Sequence, residues 1–194
     1  MTDNRPELSA CAAIRDTPAP SAWIRRWLPA AQGDRLALDL ACGSGRHSLL
    51  ARDLGYRVVA VDRDAQALAT LQGSGVQTLQ EDLEHGRWSF CAQRFDLIVC
   101  THYLFRPRLD LLASLLAPGG RLLYETFAQG NERFGRPSNP AFLLRPGELL
   151  QWAHRAGLHV VAYEDGVLSV PRAARVQRLA AVRAPLDDAL IALD

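Results

Sequence analysis

The sequence predicts an α/β domain built on an open parallel sheet, and three observations lead there. Short apolar runs alternate with stretches of helical patterning from residue 36 onward. The first run, Leu36-Ala37-Leu38-Asp39-Leu40, passes through Ala41-Cys42-Gly43-Ser44-Gly45 into a helical segment from Arg46 to Leu54. The second run ends in Asp62, where a βαβ nucleotide fold places the carboxylate that reads a ribose.

Taken in order, residues 1–20 are polar and mixed, close on Thr17-Pro18-Ala19-Pro20, and read as an N-terminal arm. Ser21–Leu28 reads as a short helix capped by Ser21, with Trp23 and Trp27 one turn apart. The two aromatics suit packing onto a sheet or one wall of a ligand cleft. Leu36–Leu40 is the first strand, its leucines on one face and the small Ala37 on the other. Gly43 and Gly45 give the following turn bare backbone, and the helix behind it points free N–H groups into the same space. Strand two runs Arg57–Val61 and stops at Asp62; Asp64 caps a helix over Ala65–Thr70. A third strand, Val76–Leu79, leads into the acidic Glu81-Asp82-Leu83-Glu84.

Phe95–Cys100 is the fourth strand, and Thr101, His102 and Tyr103 follow at the end where ligands gather in such sheets. Leu109–Leu116 is a helical stretch closed by Pro118-Gly119-Gly120, before a fifth strand over Arg121–Thr126. Residues 127–146 show little periodicity, which marks a lid or binding loop. A helix over Pro146–Ala156, with Pro146 in its first turn, precedes strands Leu158–Tyr163 and Val176–Val182. One domain over 21–184 accounts for the pattern, with 185–194 as a tail.

Composition bounds the function. At 194 residues the chain can bury one sizeable core, and 48% hydrophobic with 22% charged residues is ordinary for a globular protein. A net charge of +1 gives no global argument for nucleic acid or a membrane surface. No apolar run reaches bilayer-spanning length, and no signal peptide is visible. All 22 basic residues are arginine, which excludes side-chain Schiff-base chemistry. Cys11, Cys42, Cys91 and Cys100 have no metal-ligand spacing, so no metal site is expected and a reducing cytoplasm is.

Leu38-Asp39-Leu40-Ala41-Cys42-Gly43-Ser44-Gly45 resembles the first motif of class I S-adenosylmethionine-dependent methyltransferases: an acid, two spacers, a small residue and G-x-G. The dinucleotide fingerprint fits less well, because Ser48 stands for its third glycine and Asp39 would repel a diphosphate. The Pro-Gly-Gly turn and the landmarks up to about Val182 share the resemblance. Within that superfamily the chain is similar to small bacterial enzymes of the tellurite-resistance type, and Asn131–Asn139 is similar to a loop in their relatives. The resemblance implies a Rossmann-like, seven-stranded, mostly parallel sheet in the order 3-2-1-4-5-7-6, strand 7 antiparallel, with helices on both faces. It implies S-adenosylmethionine as cofactor, held by Asp39, Ala41, Cys42, Gly43, Gly45, His47, Asp62, Arg63, Asp82, Leu83 and Thr101.

The activity expected is methyl transfer to a small, anionic acceptor by in-line displacement, with His102 or Tyr103 orienting the acceptor or taking its proton. Arg106, Arg133 and Arg136 lie in loops expected at one rim of the sheet and suit bidentate recognition of an anion. Two other readings compete. One is a protein that senses S-adenosylmethionine without turnover. The other is an NAD(P)-dependent oxidoreductase, disfavoured by Asp39, Ser48 and the missing lysine.

Overall fold

The computed structural model describes residues 18–186 and 188–191. The arm expected over 1–20 therefore lies outside the described residues except for 18–20, as does part of the 185–194 tail, in which α6 spans Asp188–Ile191.

Seven strands form one sheet in the order β3-β2-β1-β4-β5-β7-β6. They are β1 (Leu36–Leu40), β2 (Arg57–Asp62), β3 (Gln77–Gln80), β4 (Phe95–Thr101), β5 (Leu116–Phe127), β6 (Leu158–Leu168) and β7 (Ala174–Arg183). The pairs from β3 through β5 are parallel, and β7 runs antiparallel to both β5 and β6. The expected order is the observed one.

The central strands are buried on both faces, as parallel strands under crossover helices must be. Leu38 and Leu40 lie in a core with Ile98, Tyr124 and Trp152, beneath α4 (Leu109–Ser114) and α5 (Glu148–Arg155). Ala37 joins Val58, Leu97 and Val99 on the opposite face, with Trp23, Ile24 and Trp27 of α1 (Ala22–Trp27) and Ala51 of α2 (Arg46–Asp53). The two tryptophans are core residues, their rings 5.7 Å apart and tilted by 55°. A smaller cluster of Cys42, Ala60, Leu68 and Leu71 seats α3 (Ala65–Ala69), which Asp64 caps through the amides of Gln66 and Ala67.

Several boundaries differ from the sequence reading. Helix α4 stops at Ser114, because Leu115 and Leu116 are drawn fully into the core and Leu116 already pairs with Phe95. Pro118-Gly119-Gly120 is then an irregularity within β5, where a Cβ on Gly120 would stand 2.8 Å from the Phe95 carbonyl oxygen. Helix α5 begins at Glu148 behind a left-handed Gly147, so Pro146 precedes the helix instead of sitting in its first turn. The β6–β7 hairpin extends to Leu168 and Ala174; cross-strand charge pairs, Arg175 with Asp165 and Arg178 with Glu164, carry it past the apolar run.

Candidate active site

Strands β1 and β4 are sheet neighbours whose onward connections lead to opposite halves of the sheet, the position where such folds open a crevice. Each strand ends in a residue with a side chain forced into left-handed backbone: Ala41 at φ +56° and His102 at φ +55°. That geometry costs about 1–2 kcal/mol per residue, so the surroundings must enforce it. They do so through hydrogen bonds to neighbouring strands. The Cys42 amide donates to the Val61 carbonyl at 3.0 Å, and the His102 amide to the Glu125 carbonyl at 2.8 Å. Both turns open onto one cleft of about 680 Å³.

The β1 side of the cleft is backbone. Gly43 sits at φ +54° with nothing within 4 Å of where a Cβ would stand, so its bare main chain faces the cleft. Gly45 differs. It does not line the cleft; a Cβ there would fall 2.4 Å from Leu71, so its missing side chain lets the start of α2 pack against the turn that follows α3. Asp62 lines the cleft from the end of β2, accepting from the Gly43 amide at 2.7 Å and the Asp64 amide at 3.0 Å. One carboxylate thus orders the glycine turn and presents acceptor lone pairs to a ligand. Arg63, Asp82 and Leu83 line the next stretch of wall. Asp82 accepts from the Glu84 amide and the His85 ring, both at 2.9 Å, and these bonds, the His85 one foremost, hold its carboxyl below the usual range.

Asp39 and His47 lie behind the wall, 2% and 1% exposed, and neither reaches the cleft surface. Asp39 Oδ2 accepts from the Ser48 hydroxyl at 2.6 Å, while Oδ1 is buried without a hydrogen-bond partner. Burial raises its pKa to about 7 against the pull of Ser48. Ser48, which replaces the third fingerprint glycine, is therefore the hydroxyl that holds the buried acid. His47 Nε2 accepts from the Ser21 amide at 3.1 Å, which places the ring proton on Nδ1, 3.4 Å from the Thr101 hydroxyl. Burial, with Arg46 adding to it, lowers the His47 pKa to about 3, so the ring is neutral. It positions Thr101, which lines the cleft.

His102 and Tyr103 form the opposite wall with Thr101. The His102 ring stacks on Phe127 at 4.8 Å, and its Nε2 lies 3.8 Å from Glu125 Oε1. Desolvation, with the charge of Arg46, lowers its pKa to about 4, which keeps it a neutral proton acceptor at pH 7. The Tyr103 hydroxyl is buried without a partner, and burial drives its pKa far up. It can donate a hydrogen bond but is no base.

The three arginines expected to bind an anion part company. Arg106 is committed to structure: it grips Glu148 at 2.6 and 2.9 Å and donates to the carbonyls of Ala141 and Leu143 at 2.7 and 2.8 Å. It lines neither the cleft nor the cavity beside it. Arg133 lies over the Phe134 ring at 5.6 Å, and it too lines neither. Arg136 alone reaches a cavity, a second one of about 550 Å³ adjoining the first. The loop that carries these residues is pinned. Buried Asn131 donates to the Pro137 carbonyl and accepts from the Arg175 amide, while Gln177 bridges the Leu149 amide and the Arg145 carbonyl.

Sequence reasoning missed Ser48, Glu125 and the wall residue Phe127. A small polar residue on the buried face of α2 was a usable signal for Ser48. Glu125 sits mid-strand with no local pattern to mark it.

Residues 37–120 match the family model of a methyltransferase domain. Comparison with curated protein sequences returns no significant match. Among solved structures, a S-adenosylmethionine-dependent methyltransferase from Methanosarcina mazei aligns with a TM-score of 0.65 at 16% identity, over 86% of this chain and 99% of that one. TehB from Haemophilus influenzae aligns at 0.62 and 20% identity over 78% of this chain, which spans 58% of TehB. The magnesium protoporphyrin IX methyltransferase of Synechocystis with bound S-adenosylhomocysteine aligns at 0.60 and 19%, over 78% and 74% of the two chains.

The matched methyltransferase domain supports S-adenosylmethionine as the cofactor, and the residues present fit it. Asp62 offers acceptors suited to ribose hydroxyls, Gly43 leaves its backbone open, and Asp39 behind the turn, once ionised, favours a cationic ligand over a diphosphate. The fold is that of the class I S-adenosylmethionine-dependent methyltransferases, and the segment from β1 into β5 matches a methyltransferase domain.

Proposed function

We propose that this protein transfers a methyl group from S-adenosylmethionine to a small acceptor by in-line displacement. One observation carries the reading: a single cleft has the bare Gly43 turn and Asp62 on one wall and His102 with Tyr103 on the other. The cofactor, when bound, supplies a methyl group already activated by sulfonium charge, so the protein's work is alignment. On this reading Asp62 and Arg63 face the nucleoside, Asp82 with the Leu83 amide the adenine edge, and the Ala41–Gly43 backbone the methionine portion.

Tyr103 holds its phenolic proton and orients an acceptor as a donor. His102 is unprotonated at neutral pH and receives a proton only from an acceptor acidic enough to give it to a base of pKa about 4. Glu125 stands 3.8 Å behind the ring, its other oxygen paired with Arg178. A soft or already anionic nucleophile suits that arrangement best. We also infer a place beside the small tellurite-resistance-type enzymes, from motif order and the 131–139 loop; the TehB likeness itself concerns the fold. A cytoplasmic setting is proposed with it, from thiols at Cys42 and Cys100 that are free and buried.

Calorimetric titration tests the reading. S-adenosylmethionine and S-adenosylhomocysteine bind, NADH does not, and label from the methyl group enters a cell extract. Failure to bind S-adenosylhomocysteine, or competition by NADH, refutes the cofactor; binding without label transfer refutes the catalysis in favour of a sensor.

A further inference from the structure

The second cavity, about 550 Å³, adjoins the cleft, and Arg46, His102 and Phe127 line both. Two molecules, one in each, would confront each other across the His102–Phe127 stack. The cavity is large enough for a drug-sized molecule. Its chemistry divides into apolar surface and guanidinium groups. Phe127, Phe134, Leu168, Val170 and Val176 supply the apolar part. Four arginines, Arg46, Arg136, Arg172 and Arg178, face one carboxylate, that of Glu125.

That carboxylate is taken. Arg178 Nε lies 2.9 Å from Glu125 Oε2 and its Nη1 3.2 Å from Glu164, and the Ser21 hydroxyl donates to the same Glu125 oxygen at 2.9 Å. Arg178 and Glu125 therefore neutralise each other as part of the wall. Arg46, Arg136 and Arg172 have no carboxylate within ion-pair distance among the described residues; Arg46 reaches only the Ala19 carbonyl, at 3.5 Å. These three cations come from separate elements: the start of α2, the loop after β5, and the turn of the β6–β7 hairpin. Gly135 makes room for one of them. A Cβ there would stand 2.8 Å from Arg172 Nη2, at a φ of +130°. Cations left unpaired around an apolar chamber lower the cost of burying an anion that carries an apolar body.

We propose that the second cavity is the acceptor site, and that the acceptor is a carboxylate on an apolar body, held by Arg136 and Arg172 with Arg46 at the junction. The assignment rests on the methyltransferase reading above. It replaces the expected Arg106–Arg133–Arg136 trio with residues that the fold brings to one chamber. The nucleophilic atom is a second group of the acceptor, directed past His102. Its lone pair forms the new bond to carbon while the electrons of the carbon–sulfur bond return to sulfur. Any proton it carries passes to the His102 ring.

The test uses naphthoate and its uncharged isostere naphthamide, titrated into the full chain with and without S-adenosylhomocysteine. Naphthoate is expected to bind at least about tenfold tighter than naphthamide. R136Q and R172Q are each expected to weaken naphthoate about tenfold and to leave naphthamide and S-adenosylhomocysteine within about twofold. Equal affinity for the two probes, no binding of either, or arginine variants that bind naphthoate like wild type would overturn the proposal. Loss of S-adenosylhomocysteine binding with arginine-dependent naphthoate binding intact would instead strike the cofactor reading and leave the cavity's anion chemistry standing.

Discussion

Asp39 is a buried acid on the first strand with one oxygen unpartnered, and its replacement by asparagine isolates the free energy of keeping a charge there. Burial, opposed by the Ser48 hydroxyl and amide, lifts its pKa from 3.8 to about 7. At 1.36 kcal/mol per unit, ionised Asp39 destabilises the fold by roughly 4 kcal/mol above pH 7. The direction follows from which state ionises first. Below about pH 4 both states are protonated and nothing is lost; as pH rises the unfolded chain ionises first and stability falls; above about 7 both are ionised and the loss levels off. In Asp39→Asn the amide oxygen would still accept from Ser48, but an NH₂ would stand where Oδ1 now lacks a partner, a penalty of about 1–3 kcal/mol that does not vary with pH. Between pH 5 and pH 8 the wild type should therefore lose roughly 2–3 kcal/mol that Asp39→Asn does not. Urea denaturation of both proteins across that range measures it, since titrating groups remote from Asp39 cancel in the difference. Parallel stability curves would refute the reasoning and mean that the folded carboxyl ionises with its ordinary pKa.

Three further perturbations separate roles within the site. Gly45→Ala should lower stability by about 2–4 kcal/mol, from the left-handed backbone and the clash with Leu71, whereas Gly43→Ala should cost about 1–2 kcal/mol yet weaken S-adenosylhomocysteine binding more than about tenfold; thermal melts and titration distinguish them. Arg106→Ala should cost roughly 2 kcal/mol and leave ligand binding alone. Burial opposes ionisation of Glu148, but Arg106 and Arg145 outweigh it and hold the pKa at about 2, so this stabilisation is present above about pH 4.5 and lost as pH falls towards 2; acid unfolding of the variant should begin at higher pH. Because the His102 pKa is about 4, an inflection of kcat/KM near neutral pH should come from Asp39, whose pKa is about 7, and should persist in His102→Asn, which lowers kcat.

What could be read from the sequence was set by how local its cause is. The strands and turns were legible because apolar runs, glycine turns and strand-ending acids are signals within a few residues; their order came from the family resemblance those motifs carry, and the switch point between β1 and β4 fixes where the cleft opens. Asp62 was legible from its place at the end of the second strand of a βαβ unit, and its carboxylate tethers the Gly43 amide of the glycine turn. Arg106 misled because its partners, Glu148 and two carbonyls of the 141–143 segment, lie 35–42 residues away. Arg172 carried no signal, since only the hairpin extension held by the Arg175–Asp165 pair brings it opposite Gly135. Hairpin length depended on cross-strand charges, which apolar periodicity does not register.

Ser21 joins the two kinds of information in one side chain. Its hydroxyl accepts from the Trp23 amide at 3.2 Å, the N-cap bond that local pattern predicts. The same hydroxyl donates to Glu125 at 2.9 Å, and the Ser21 amide donates to His47 at 3.1 Å. The start of α1 is thereby tied to α2, which positions Thr101 at the cleft, and to β5, whose carboxylate neutralises Arg178 and stands behind His102. Such a buried chain strengthens each bond in it and leaves costly orphans when one is cut. A cap that was only a cap would tolerate asparagine or aspartate. Here aspartate would set a second negative charge against Glu125 and supply no proton to donate. The bond to Glu125, and not helix capping, therefore excludes aspartate at this position.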